Sequence, residues 1–348
     1  MGKILPKAIL EVFILKKGDT WFFERPVYIR AWASCVGKKE KEGPLSGLFD
    51  VESDDNRFGE KTWEKAESRM VETACQKAVF KSGLEHRDIG AFLGGDLLNQ
   101  CISTSFALRS LGFQLLGLYG ACSTMAEGLC IGAALMEAGL EKNPLCCASS
   151  HFCSAERQYR FPLEYGAQRP QTSQWTATAA GAVVLDPEVG KIKITAATAG
   201  RVFDPGITDT NNLGAAMAQA AFETINTFFK DSGTSPGDYD LILTGDLSLV
   251  GKAIVERLFR DVNIDMTRNY NDCGLMLYYL DGQDVHSGGS GCGCSAAVLT
   301  SRILPALEKG RLKRVLFCGT GALLSPTSSN QGESIPGICH LVCLESAL

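Results

Sequence analysis

Two hydrophobic patterns alternate along the chain. Over residues 60–81, Trp63, Ala66, Met70, Ala74 and Ala78 recur at helical spacing among charged residues, and 213–231 repeats the pattern. Both stretches predict amphipathic helices. Short apolar runs bounded by turn residues, at 89–94, 144–148, 181–185, 241–244, 314–318 and 338–344, predict buried strands. Extended chain is expected as well at 20–29, 114–119 and 191–199. Residues 124–138 are apolar almost all round, which predicts a helix sandwiched between layers.

The elements come twice. SGLEHRDIGAFLGGDL at 82–97 matches SGTSPGDYDLILTGDL at 232–247 at a constant offset of 150. Ser82/Ser232, Gly83/Gly233, Asp88/Asp238, Leu93/Leu243, Gly95/Gly245, Asp96/Asp246 and Leu97/Leu247 are identical pairs. A second echo sets EAGLEKNPLCC at 137–147 against EKGRLKRVLFC at 308–318, offset by 171. Such self-similarity marks a tandem duplication. Its expected parts are an extension over 1–19, one unit over 20–190 and a second over 191–348. Alternating strands and helices imply mostly parallel sheets covered by helices. Two units sharing their buried helices make a five-layered α/β/α/β/α fold with pseudo-twofold halves.

Composition narrows the function. With 348 residues, 45% hydrophobic and 21% charged, the chain can bury a core without staples. A net charge of −5 gives no basic footprint for nucleic acid. The 14 cysteines show no C-x-x-C spacing and there are only four histidines, so neither a structural zinc nor another metal or cofactor is expected. The cysteines read as small buried residues of a reduced protein. The longest uncharged stretches, 287–301 and 315–332, hold too much Gly, Ser and Pro for a membrane helix, and the apolar run at 8–15 has no leader cleavage site.

One cysteine has a positional argument for chemistry. In LGLYGACSTMA (116–126), Cys122 falls where a strand turns into the buried helix, with Cys294 as its expected echo in the second unit. Backbone N–H groups at such a helix start favour a thiolate or an oxyanion, and Thr124 with Glu127 has capping-box spacing. A nucleophile also needs a base. His151, at the end of the strand after the helix, is the first candidate, and His286, before SGGSGCGCS, is the second. His86 reads as surface and His340 as a core residue. Beyond His151, Arg157, Arg160 and Arg169 stand among Tyr159, Phe161 and Tyr165. That mixture suits a flat anionic ligand, or equally a solvated excursion paired with Glu156 and Glu164. The glycines at 288–293 lack the signature of a phosphate loop.

With Cys122 on the buried helix of a duplicated unit, and GAVVL closing the first half at 181–185, the chain from about Thr20 resembles the thiolase superfamily. LLNQ (97–100), GLYGACST (117–124), ERQYRFPLEYG (156–166), NDCGLM (271–276), GGSGCGCSA (288–296) and GALLSP (321–326) are similar to the stage V sporulation protein AD family of spore-forming bacteria. That resemblance implies a homodimer that binds dipicolinic acid, free or as its calcium chelate, without established catalysis. It further implies work with membrane proteins of the same sporulation group, on the cytoplasmic face of the spore inner membrane. Working thiolases carry Gly-His-Pro before the second buried helix, and GGSGCGCSA has neither His nor Pro. The His and Asn of type III ketosynthases correspond to Tyr270 or Asn271 and to Cys292 or Gly293. A thiolate without a base is a poor Claisen catalyst. The expected pocket is lined by Cys122, His151, Asn271, Asp272, Ser290 and Cys294, with Arg157 or Arg160 meeting a carboxylate. The rival expectation is a thiolase- or ketosynthase-type acyltransferase working through an acylated Cys122.

Overall fold

The computed structural model describes residues 15–159 and 169–348. The first half runs through β1 (Tyr28–Val36), α1 (Trp63–Ser82), β2 (Phe92–Gly95), α2 (Ile102–Leu111), β3 (Leu115–Gly117), α3 (Thr124–Glu137), β4 (Leu145–Ser150), α4 (Phe152–Tyr159) and β5 (Ala179–Asp186). The second half supplies β6 (Ile192–Thr198), α5 (Leu213–Ser232), β7 (Leu241–Thr244), α6 (Ser248–Asp261), β8 (Tyr270–Asp272), α7 (Cys292–Val298), β9 (Arg314–Ala322) and β10 (Gly337–Ser346). Strand order is β1-β5-β4-β2-β3 in the first half and β6-β10-β9-β7-β8 in the second, the same permutation twice. The two meet edge to edge through a short antiparallel pairing, Ile29 with Ile192 and Tyr28 with Lys193.

Side-chain alternation explains the layers. Along β5, Ala180, Ala182 and Val184 face a core built with Met70, Ala74 and Ala78 of α1. The intervening Ala179, Val183 and Leu185 face the middle of the molecule. There they meet Met125, Leu129 and Ala133 of α3 and Ala296 to Val298 of α7. In β10, Cys339, Leu341 and Cys343 turn toward Met217, Ala221 and Phe228 of α5, while Val342 and Leu344 turn inward. Period-two strands with both faces buried must carry helices on both sides. The result is five layers, with α3 and α7 shared at the centre.

The repeated Ser-Gly pairs are helix ends. Gly83 and Gly233 adopt φ of 69° and 71° just past α1 and α5, a conformation open to glycine at no steric cost. Thr62 and Asn212 cap the opposite ends, accepting from Lys65 N and Ala215 N. The extended segment expected over 20–29 is two strands instead. Pro26 interrupts it, leaving Thr20–Phe22 paired with Leu15–Lys17 and with β6 before β1 begins. The strand expected from 89 starts only at Phe92. All fourteen cysteines are free.

Candidate functional site

Between β3 and α3 the chain makes one 3-10 turn, Ala121–Ser123, and Cys122 sits at its centre. Ala121 holds φ at 51°, a left-handed conformation that costs a non-glycine residue about 1 kcal/mol or more and often marks functional turns. Ser123 Oγ donates to Gly120 O at 2.6 Å and Thr124 Oγ1 to Ala121 O at 2.8 Å. The expected Thr124–Glu127 capping box is therefore absent, because the extra turn consumes both hydroxyls. Glu127 instead packs its buried, unpartnered Oε2 against Gly120, and burial pushes its carboxyl up.

What meets the Cys122 thiol is Asp246, from the turn after β7 in the other half. Its carboxylate also accepts from Thr320 Oγ1 at 2.7 Å, Gly291 N at 2.9 Å and Ser290 Oγ at 3.2 Å. Burial first, and then the Asp246 charge, push the thiol well above its ordinary value. A reactive cysteine requires the opposite, a cationic neighbour that stabilises thiolate. Burial raises the Asp246 carboxyl as well, against the donors that hold it. Sequence reasoning missed Asp246, although its GDL triplet was the clearest mark of the duplication. Neither Tyr270 nor Asn271 takes that place.

A cavity of about 50 Å³ opens at the thiol, lined by Leu97, Ala155, Glu156, Tyr159, Thr176 and Ser290 among others. Of the expected pocket residues that are described, only Cys122 and Ser290 line it. His151 is buried elsewhere, with both ring nitrogens committed to backbone: Nε2 to Asn56 O at 2.8 Å, and Nδ1 accepting from Cys153 N at 3.2 Å. Burial keeps its pKa low and the ring neutral. It is a core residue, not a base for Cys122.

Arg157 is half exposed and pairs with Glu64 of α1. Arg160 lies outside the described residues. Asn271 Oδ1 accepts from Asp272 N at 2.9 Å. Asp272 is a structural cap: Thr244 Oγ1, Leu247 N, Ser248 N and Gly274 N all donate to it within 2.9 Å, while burial pushes it up to about 7.

Cys294 is buried against Gly289 in the central core. Nor is it the echo of Cys122. Helix α7 opens at Cys292, with Gly291 in the left-handed turn position at φ 98°. Gly291 precedes Cys292 with a positive φ as Ala121 precedes Cys122, and Asp96 acts on Cys292 as Asp246 does on Cys122, so the pseudo-equivalent of Cys122 is Cys292. Of the other histidines, His286 contacts Asp284 at 3.0 Å, and His340 accepts from Gly200 N at 3.1 Å with its pKa lowered to about 4 by burial. Among the described residues no cluster of three His, Cys, Asp or Glu could hold a metal.

The family model "Stage V sporulation protein AD (SpoVAD)" matches residues 17–345. The chain belongs to that family. Stage V sporulation protein AD of Bacillus subtilis (strain 168) is 46% identical over 329 residues, 94% of this chain and 97% of that protein. SpoVAD is thus a sporulation protein family built on a thiolase-type fold, as solved structures show. 3-Oxoacyl-[acyl-carrier-protein] synthase III from Aquifex aeolicus VF5 superposes with a TM-score of 0.54 at 15% identity, covering 92% of this chain and 99% of that one. A single-residue variant of OleA from Xanthomonas campestris gives 0.58 at 16%, covering 93% and 97%. At such identity the likeness concerns fold alone. No described helix of this SpoVAD member is long and apolar enough to cross a membrane.

Proposed function

We propose that this protein binds dipicolinic acid in the Cys122 cavity and supports its uptake into the developing spore without catalysing acyl transfer. The observation that carries the reading is the pairing of Cys122 with Asp246: the nucleophile position faces a carboxylate that disfavours thiolate, not an imidazole. A thiol held protonated by a buried carboxyl is a polar wall, not a reagent. The cavity wall carries Glu156 beside Ser290 and Thr176, and Asp246 lies behind it. No cation among the described residues lines it. Such a wall favours the calcium chelate over the free dianion, since chelated calcium still takes oxygen ligands. A pyridine ring exceeds the open space, so entry turns aside Tyr159, whose hydroxyl donates to Leu97 O at the rim.

The protein would act as a homodimer on the cytoplasmic face of the spore inner membrane, docked on membrane proteins of its sporulation group. The unpaired edge strand β3, with Leu115 and Leu116 exposed, favours pairing with a second copy. Titration calorimetry of the full chain against dipicolinate, with and without equimolar calcium, tests the site. Saturable heat is expected, larger with calcium, and lost when Ala155→Trp fills the cavity. Absence of heat in both arms would sink the reading. After incubation with acyl-CoA, intact mass should be unchanged, and an adduct on Cys122 would restore the acyltransferase.

A further inference from the structure

A second cavity, of about 370 Å³, lies at the far end of the central layer, where α7 continues through a π turn (Leu299–Ile303) into helix Leu304–Glu308. Leu241 and Met276 form part of its apolar wall. Arg302, Lys309 and Arg311 converge on it, and no acidic side chain among the described residues lines it. None of the three makes an ion pair among the described residues. Ser301 is buried at the same wall, and its Oγ has no hydrogen-bond partner among the described residues. An unsatisfied buried hydroxyl is destabilising unless something meets it, and π turns inside helices are frequent at functional sites.

Basic residues near a helix C-terminus have an ordinary explanation in the helix dipole. Two observations weigh against it. Backbone amides already meet the last carbonyls: Lys309 N bonds Pro305 O, Arg311 N bonds Ala306 O and Gly310 N bonds Leu307 O. The duplication supplies the second. At the offset of 171, Lys309 and Arg311 correspond to Ala138 and Leu140, and Arg302 to Ile131. In the first half that helix end is met by the Arg25 guanidinium beside Gly139, while the three aligned positions carry no cation, so the fold unit does not demand all three.

We propose that this groove is a binding site for a small amphipathic anion, a carboxylate or phosphate head on a short apolar body. The head sits between Arg302, Lys309 and Arg311 and accepts from Ser301 Oγ, while the body covers Leu241 and Met276. Guanidinium forks suit either head, and an apolar wall with few polar groups suits the body. The site is independent of the Cys122 cavity and of any dipicolinate bound there.

Calorimetric titration of the full chain with octanoate, octyl phosphate and octanol tests it. At least one anion should bind saturably and ten-fold or more tighter than octanol, and the tighter of the two identifies the head group. The triple variant Arg302→Gln, Lys309→Gln, Arg311→Gln should weaken that anion at least ten-fold, Ser301→Ala a few-fold, and Ala155→Trp not at all. Equal binding of octanol, no binding of either anion, an unaffected triple variant, or loss on Ala155→Trp would each overturn the proposal.

Discussion

The turns at Cys122 and Cys292 start from one design and end differently. Each cysteine opens a central helix, follows a left-handed residue (Ala121 at φ 51°, Gly291 at 98°) and lies near the GDL aspartate of the opposite half. Cys292 is fully buried. The thiol donates to Ser149 O at 2.8 Å, and Ser150 Oγ accepts from Gly293 N at 3.2 Å. Beyond them Glu67 takes hydroxyls from Ser103, Ser149 and Ser154. At Cys122 the place of Ser150 belongs to Gly321, and the place of Glu67, by the offset of 150, belongs to Met217. A Cβ at Gly321 would come within 2.6 Å of Gly120 O, so the glycine lets β9 press against the turn, and the cavity opens instead toward Leu97, Ala155 and Tyr159. Duplication supplied two such turns, and a cavity opens at the thiol of one of them.

The largest test removes the acid at the open turn. Asp246→Ala strands Ser290 Oγ, Gly291 N and Thr320 Oγ1 in the core, and breaking such a buried network costs about 3–5 kcal/mol. Urea unfolding should register that loss, and a cost under about 1 kcal/mol would show that Asp246 does not organise the turn.

The closed turn should announce itself through pH. Burial first, and Asp96 second, raise Glu67 from 4.5 to about 8. Between those values the folded chain keeps a proton that the unfolded chain releases, so stability falls as pH rises from about 4.5 through 8. Glu67→Gln cannot titrate and should flatten that fall, by about 3–4 kcal/mol between pH 5 and 8. Parallel slopes for the two proteins would place the pH dependence elsewhere.

Much of this was legible in the residues, for physical reasons. Ser-Gly helix ends, the GDL triplets and the alternation of strands with helices are local, so they disclose the repeat and the layers. Cys122 was found because a strand–helix turn is local too. Its partner was not, since Asp246 reaches it across the pseudo-twofold axis and no spacing rule links them. His151 failed for a similar reason. Its strand end was read correctly, but the backbone of Asn56 and Cys153 takes both nitrogens, and only tertiary structure places Asn56 there. Cys294 suggests itself as the echo because it precedes a serine, as Cys122 does, whereas helix α7 begins two residues earlier.

Thiol chemistry separates the two turns more finely. With the carboxylate replaced by an amide in Asp246→Asn, one of the causes holding the Cys122 thiol up disappears. Its alkylation by iodoacetamide at pH 8 should rise about ten-fold, the equivalent of one unit in pKa. Cys292, fully buried, should stay unlabelled in both proteins. Peptide mapping by mass reads both sites, and labelling of Cys292 before Cys122 would reverse the assignment of open and closed.

The smallest effect is expected where the sequence once placed a carboxylate-binding arginine. Arg157 is half exposed, and its partner Glu64 is also reached by water. Ion pairs so placed contribute about 0–1 kcal/mol, since solvent screens the charges and ordering two long side chains offsets the attraction. Arg157→Gln should therefore change unfolding by less than about 0.5 kcal/mol and leave dipicolinate heats as they were. A strong loss of binding would mean that the side chain leaves Glu64 for the ligand. The acidic wall around Cys122 would then gain the cation it lacks among the described residues, and the free dianion would become a better guest than its calcium chelate.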